Sequence, residues 1–118
     1  MKTIRVLDIT NNPCLLAPEK AEKVAESIRK YLKNGDTVQI DFTGYEFLSS
    51  AFLNRAMGQV LIDLDIDKNK LDSIVKVTGL QDDDADDLAL AIDNADLRRK
   101  LLKKGVSPEE YYSSHVPV

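Results

Sequence analysis

The sequence predicts a small α/β domain of order β(β)αβαβα, with helices mainly on one face of a small mixed sheet. Three observations predict it. Apolar residues alternate with period two over residues 3–9 and 37–42. They recur at helical spacing over residues 19–33 and 53–64. Each intervening helical segment is long enough for the crossover that parallel strands require. A chain of 118 residues can bury one core without disulfide or metal. The reading places one domain over residues 1–106, then a short helical turn and flexible tail over 107–118.

In order along the chain, residues 3–9 read as a strand, with Ile4 and Val6 on one side and Arg5, Leu7 and Ile9 on the other. Asn11, Asn12 and Pro13 are turn residues, and residues 14–17 offer a short edge strand. Pro18 suits the first turn of a helix, where its missing N–H costs nothing. The helix that follows carries Ala21, Val24, Ala25, Ile28, Tyr31 and Leu32 in one stripe, and Asn34-Gly35 supplies a left-handed stop. Val38, Ile40 and Phe42 define the inner side of the second strand.

Beyond the serine pair Ser49-Ser50, a second stripe runs through Leu53, Ala56, Met57, Val60, Leu61 and Leu64. Gly58 within it costs about 1 kcal/mol of helix propensity, which a close backbone contact would explain. Residues 71–77 read as the third strand. Residues 84–104 form a helix with two stripes: Leu88, Ala91, Ile92, Ala95 and Leu102 on one face, and Leu90, Leu97 and Leu101 on the other. A break near Asp93-Asn94 would turn both stripes inward. An unbroken helix would leave Leu90, Leu97 and Leu101 to dock a partner or a second copy, so the chain is expected to be a monomer or a homodimer.

Composition narrows the function. The chain is 43% hydrophobic and 31% charged, with 20 acids against 16 bases and a net charge of −4. That balance argues against a nucleic-acid partner, which demands a basic face. The cluster Arg98, Arg99, Lys100, Lys103 and Lys104 sits where basic residues serve the carboxyl end of a helix. Cys14 is the only cysteine, which excludes an internal disulfide and fits a reducing cytoplasm. No apolar stretch reaches membrane-span or signal-peptide length, so no membrane association is expected.

Asp82, Asp83, Asp84, Asp86 and Asp87 lack the spacing of a calcium loop and read as capping and dipole-complementing residues. Asp63, Asp65 and Asp67 alternate at a helix end, where acids are unfavourable; a solvated, frayed end is the simplest account, a metal or partner contact the other. His115 is the sole histidine and falls in the expected tail, away from any serine it could activate. No glycine-rich phosphate loop is present. No cofactor, metal or catalytic residue is assigned.

The stretch Ile40-Asp41-Phe42-Thr43-Gly44-Tyr45-Glu46-Phe47-Leu48-Ser49-Ser50, followed by Leu53, resembles the core signature of STAS domains, the bacterial anti-sigma-factor antagonists and their relatives. It is closer to the uncharacterised bacterial STAS-like branch. The order of elements extends the resemblance over residues 1 to about 104. The resemblance implies a single STAS-like domain acting as a non-enzymatic switch. Its implied partner is a histidine-kinase-like ATPase or an anti-sigma factor, and a serine at a helix start would accept phosphate from it. Aligned on Phe47, the motif's aspartate is Ser49 and its first serine is Ser50. The usual acceptor serine is Ala51 and the following glycine is Phe52.

Ser49 and Ser50 are therefore candidates for helix caps or for phosphoacceptors. Tyr45, Glu46, Phe47, Ser49, Ser50, Asn54 and Arg55 form the candidate partner surface. Tyr45 and Phe47 are the aromatic contacts, unless they pack into the core beneath the turn. A small-molecule or lipid-binding STAS-type domain is the alternative, with a ligand between sheet and helices.

Overall fold

The computed structural model describes residues 1–107. Apart from Ser107, the turn and tail expected over 107–118, with His115, lie outside the described residues. Five strands and six α-helices follow one another: β1 (Lys2–Arg5), α1 (Val6–Thr10), β2 (Cys14–Leu15), α2 (Pro18–Lys33), β3 (Val38–Asp41), β4 (Phe47–Leu48), α3 (Ser50–Leu53), α4 (Gln59–Leu64), α5 (Lys68–Ile74), β5 (Val75–Thr78) and α6 (Asp82–Lys103). A π-helical turn, Asn54–Gly58, joins α3 to α4, so residues 50–64 are one helix.

The expected α/β architecture is present, but every strand among the described residues pairs parallel, in two small sheets and not in one mixed sheet. The main sheet has the order β1-β3-β5, and β2 pairs with β4 in a separate two-stranded sheet. The order advances in one direction. Right-handed crossovers then put α2 and the 50–64 helix on the same face of the sheet. That face carries Ile4, Val38 and Ile40, all buried. The opposite face presents Thr3, Gln39 and Lys76 in one row and Arg5, Asp41 and Thr78 in the next, all polar and at least half-exposed or exposed.

Two expected strands are shorter than their alternation suggested. β1 ends at Arg5 because its partner β3 ends at Asp41; beyond that point an extended backbone would leave N–H and C=O groups unpaired. Residues 6–10 satisfy them by coiling into α1. Likewise β5 pairs only over Val75–Thr78, and residues 68–74 form α5 instead of strand. Asp67 starts α5 by accepting the Asn69 N–H at 2.8 Å.

The 50–64 helix is buried on several sides. Phe52, Leu53, Ala56, Met57, Val60 and Leu61 are each at most 1% exposed. Pairs of buried positions four residues apart drift by about 40° per turn around an ideal α-helix. A single π-turn takes up that drift and keeps the buried side aimed at α2 and the sheet. Gly58, also buried, meets α6: a Cβ there would lie 3.4 Å from Ala95 Cβ and 3.5 Å from the Ala91 carbonyl. The close backbone contact expected at this glycine is thus with α6.

α6 runs unbroken for 22 residues, with no interruption at Asp93-Asn94. Its buried stripe is apolar at Leu88, Ala91 and Ala95, then charged at Asp96 and Arg99. That change of chemistry along one face explains the misleading leucine pattern. Leu101, expected outside, is buried; Leu97 is half-buried; Leu90 and Leu102 are exposed. Leu90, Leu97 and Leu101 therefore form no exposed row for self-association. At the helix end Val106 N–H reaches back to the Leu101 carbonyl and Gly105 N–H to Leu102, the αL-terminated ending called a Schellman motif.

The charged half of α6 meets the acids at 63–67. Asp96, 4% exposed at its side chain, accepts Arg99 Nη2 at 3.0 Å and pairs with Lys100 Nζ at 3.0 Å. It also accepts the Lys68 backbone N–H at 3.2 Å, docking the start of α5 onto α6. Arg99 Nη1 reaches Asp65 at 2.9 Å, and Lys103 reaches the same carboxylate at 2.8 Å. Asp65 sits at φ 52°, a left-handed position ending α4, where glycine would be unstrained; the side chain is retained for its two cations. Asp63 pairs with Arg29 at 3.0 Å. Asp65 and Asp67 belong to an ion-pair hub on α6 and Asp63 to a separate pair with α2, so this helix end is not frayed.

Burial works to raise the Asp96 pKa, but hydrogen bonds from Lys100, Arg99 and the Lys68 amide outweigh it and hold the carboxyl below its ordinary 3.8. Lys103 and Arg99 lower Asp65 in the same direction. A carboxylate with a depressed folded pKa binds protons more weakly folded than unfolded. Its stabilisation is complete above about pH 5 and drains away as pH falls through the folded value. Urea midpoints are expected to be flat from neutrality to about pH 5 and to fall below about pH 4. Asp96→Ala is expected to lose about 2 kcal/mol at neutral pH, because Arg99 loses its buried partner and the Lys68 amide its acceptor while Asp65 and Asp67 remain, and to flatten the acid limb.

Two glycines with the same φ of +84° offer a sharper contrast. A Cβ on Gly35 meets nothing within 4 Å, whereas on Gly79 it would lie 2.5 Å from Thr43 N and 3.0 Å from Asp41 Oδ1. Gly35→Ala should therefore cost only the left-handed strain of about 1 kcal/mol. Gly79→Ala should cost about 3 kcal/mol, because the turn after β5 is pressed on the turn after β3. Denaturant unfolding of both variants measures the difference.

Candidate functional site

The corner between β4 and the 50–64 helix is built by the small sheet. Cys14 pairs with Phe47 and Leu15 with Leu48, so alternate side chains face opposite ways. Leu15 is fully buried and Leu48 half-buried, while Phe47 is 62% exposed. Packing beneath the turn, the ordinary expectation for a phenylalanine, does not occur. Pro13 carbonyl accepts from the Glu46 and Phe47 amides, and Leu15 carbonyl accepts from the Ser49 amide. Leu16, the residue after β2, is a second exposed apolar side chain, at 54%.

Tyr45 has a different role. It is half-buried against the core, and its hydroxyl accepts the Gln81 N–H at 2.9 Å while donating to Asp84. Burial and the Asp84 carboxylate both push the phenol pKa up. Tyr45 is thus a tether between the turn and the start of α6. Gln81 occupies the N-cap position of α6 without a side-chain capping bond; Asp82, Asp83 and Asp84 lie within the first turn, where their charge complements the dipole, and are not the caps expected.

The serine pair divides its labour. Ser49 is the N-cap, its Oγ accepting the Phe52 N–H at 3.0 Å. Ser50 is the first helical residue and is exposed, and its hydroxyl has no hydrogen-bond partner among the described residues. Ala51, Asn54 and Arg55 follow, also exposed. Arg55 Nε lies 3.4 Å from Glu22 on α2. Five of the seven expected surface residues (Glu46, Phe47, Ser50, Asn54 and Arg55) lie open on one corner.

The chain matches the family model of a STAS-like domain of unknown function (DUF4325) over residues 20–85. The protein belongs to that family. No curated protein and no solved structure matches it. The match is narrower than the span of elements suggested: it covers α2 through the first turn of α6, and so includes the whole corner. β1, α1, β2 and most of α6 lie outside it. In this STAS-like domain the open end of the 50–64 helix therefore belongs to the family segment, while the α6 face opposite Gly58 lies beyond it.

Two recesses flank the 50–64 helix. One, of about 380 Å³, lies between that helix and α6 and is reached from Ala51 and Asn54. Sequence reasoning missed it, because its α6 wall, with Asn94 and Arg98, looked like an ordinary solvated helix end. The other, of about 410 Å³, lies at the opposite end of the molecule, with Leu32, Leu64, Ile66 and Ile74 among its walls. Among the described residues no helix is long and apolar enough to cross a membrane.

The different duties of the two aromatics can be separated by stability. Tyr45→Phe leaves Gln81 N–H and Asp84 without the phenol and should cost about 1–2 kcal/mol. Phe47→Ser removes an exposed side chain and should stay within about 0.5 kcal/mol of the parent. Urea denaturation of the two variants side by side checks the assignment.

Proposed function

We propose that this STAS-like domain is a non-enzymatic, cytoplasmic regulatory module that binds a protein partner through the corner formed by residues 45–54. The partner class suggested by its resemblance to bacterial anti-sigma-factor antagonists is a histidine-kinase-like ATPase or an anti-sigma factor. The observation that carries the reading is Phe47, 62% exposed on a hydrogen-bonded strand immediately before a capped helix end. An aromatic ring held in water forgoes the gain of burial, which a partner's surface would restore. Glu46, Asn54 and Arg55 supply the polar rim.

Membership of the STAS-like family supports a regulatory module, and the free hydroxyl of Ser50 supports the phosphorylated form of the reading. Ser49 is committed to capping, so Ser50 is the acceptor assigned here. A phosphate on it would stand at the amino end of the helix, where the dipole and free N–H groups favour negative charge.

The test is recovery of the partner from the native host on immobilised protein, with and without ATP. The expected result is a histidine-kinase-like ATPase on the parent protein. Phe47→Ser should weaken binding at least about 30-fold, the equivalent of a 2 kcal/mol hot spot, with unchanged thermal stability. With the recovered kinase, the phosphate-sized mass shift should map to Ser50 and vanish in Ser50→Ala. Recovery of no such ATPase under either condition overturns the partner; full binding by Phe47→Ser overturns the corner.

A further inference from the structure

The cleft between the 50–64 helix and α6 has a chemistry unlike the rest of the surface. In a chain of 20 acids and 16 bases, no aspartate or glutamate among the described residues lines it. Its floor is made by Gly58 and Ala95, whose close approach keeps the two helices together at depth and leaves the longer side chains to form the rim. The rim carries Asn54 and Arg55 from the π-turn and Asn94 and Arg98 from α6. π-turns set within α-helices often mark functional sites.

Arg98 is the telling side chain. Arg5, Arg29, Arg55 and Arg99 each have a carboxylate within ion-pair distance, and Arg98 has none among the described residues. The carboxamides of Asn54 and Asn94 likewise have no hydrogen-bond partner there. Arg55 lies 3.4 Å from Glu22 through Nε, and its half-exposed side chain leaves the guanidinium open to a ligand as well. Two guanidinium groups and two carboxamides thus converge, from facing helices, on a space of about 380 Å³.

We infer that this cleft binds a small phosphomonoester, its phosphoryl oxygens held by Arg98 and Arg55 and by the amide groups of Asn54 and Asn94. The charge decides between oxyanions. A phosphomonoester carries about −1.5 to −2 at neutral pH and offers three oxygens, enough to engage Arg98 and the half-exposed Arg55 together, where a carboxylate brings one charge and two oxygens. The guanidinium fork suits three phosphoryl oxygens. The volume falls in the range of small-molecule sites, leaving room for an organic group beyond the phosphate. The site stands apart from the proposed partner surface in its deciding residue, because Arg98 lies on α6 outside the corner.

The experiment is a titration of the purified protein followed by amide NMR shifts. Inorganic phosphate, glucose 6-phosphate and acetate are the probes, all at one ionic strength. Saturable shifts confined to residues around the cleft are expected for both phosphates, with glucose 6-phosphate at least as tight as inorganic phosphate and acetate at least tenfold weaker. Arg98→Gln should weaken phosphate binding at least tenfold without changing thermal stability, and Arg98→Lys should lose part of it. Phe47→Ser should bind phosphate as the parent does, which separates this site from the partner surface. Absence of saturable shifts, equal binding by Arg98→Gln, or acetate as tight as phosphate would each overturn the inference.

Discussion

The contact of Gly58 with Ala91 and Ala95 is the constraint on which the upper half of the molecule depends. Three small residues let the 50–64 helix and α6 approach until backbone meets side chain. That approach fixes α6 as a layer outside the helix that itself covers the sheet. Everything α6 contributes then follows from its placement. Its first turn meets the Tyr45 hydroxyl, its middle buries Leu88 and Ala91, and its last turns bring Asp96 and Arg99 over the acids that end α4. The π-turn belongs to the same constraint, because Gly58 closes it while Ala56 and Met57 within it are buried.

Electrostatics completes what packing begins. Over its last turns α6 adds Asp96, Arg99, Lys100 and Lys103 to the buried Leu101, and the chain opposite supplies Asp65, Asp67 and Lys68. Burying Arg99 is costly unless its charge is matched, and three carboxylates match it. Its Nε alone lacks a partner. The cations on this side of α6 are consumed by the hub. Arg98 points to the other side and is left out of it, which is why the cleft has a positive rim in an acidic protein.

What could be read from the sequence was what local chemistry decides. The stripe of α2, its Asn34-Gly35 stop and the buried side of β3 each depend on neighbours within a few residues, and each is where the pattern put it. The segments that differed depend on partners far along the chain. Residues 6–10 alternate like a strand and residues 71–74 lead into a run rich in Ile and Val, yet the short β3 gives neither anything to pair with. A signal was present for the second: Asp67 stands where a helix cap belongs. The two stripes of α6 were unreadable by hydropathy because two of its six buried residues, Asp96 and Arg99, are an ion pair. The corner was located by its motif, but the inward or outward direction of Phe47 was not, since it depends on the pairing of β4 with β2.

That pairing also explains why the exposure of Phe47 is a property of the fold and not of a loose loop. The register sets Leu15 and Leu48 inward, so Phe47 must face out; a slip of one residue would bury Phe47 and turn Leu48 to solvent. Either side of the ring is fastened. Tyr45 is tied to the start of α6, and Ser49 is held by both its backbone bond to Leu15 and its capping bond to Phe52. A side chain held this way would lose little conformational freedom on meeting the proposed partner, so more of its burial would appear as affinity. Where it stands, that phenylalanine contributes little to stability. Its presence on so rigid a corner is the strongest physical reason to look there for what this protein binds.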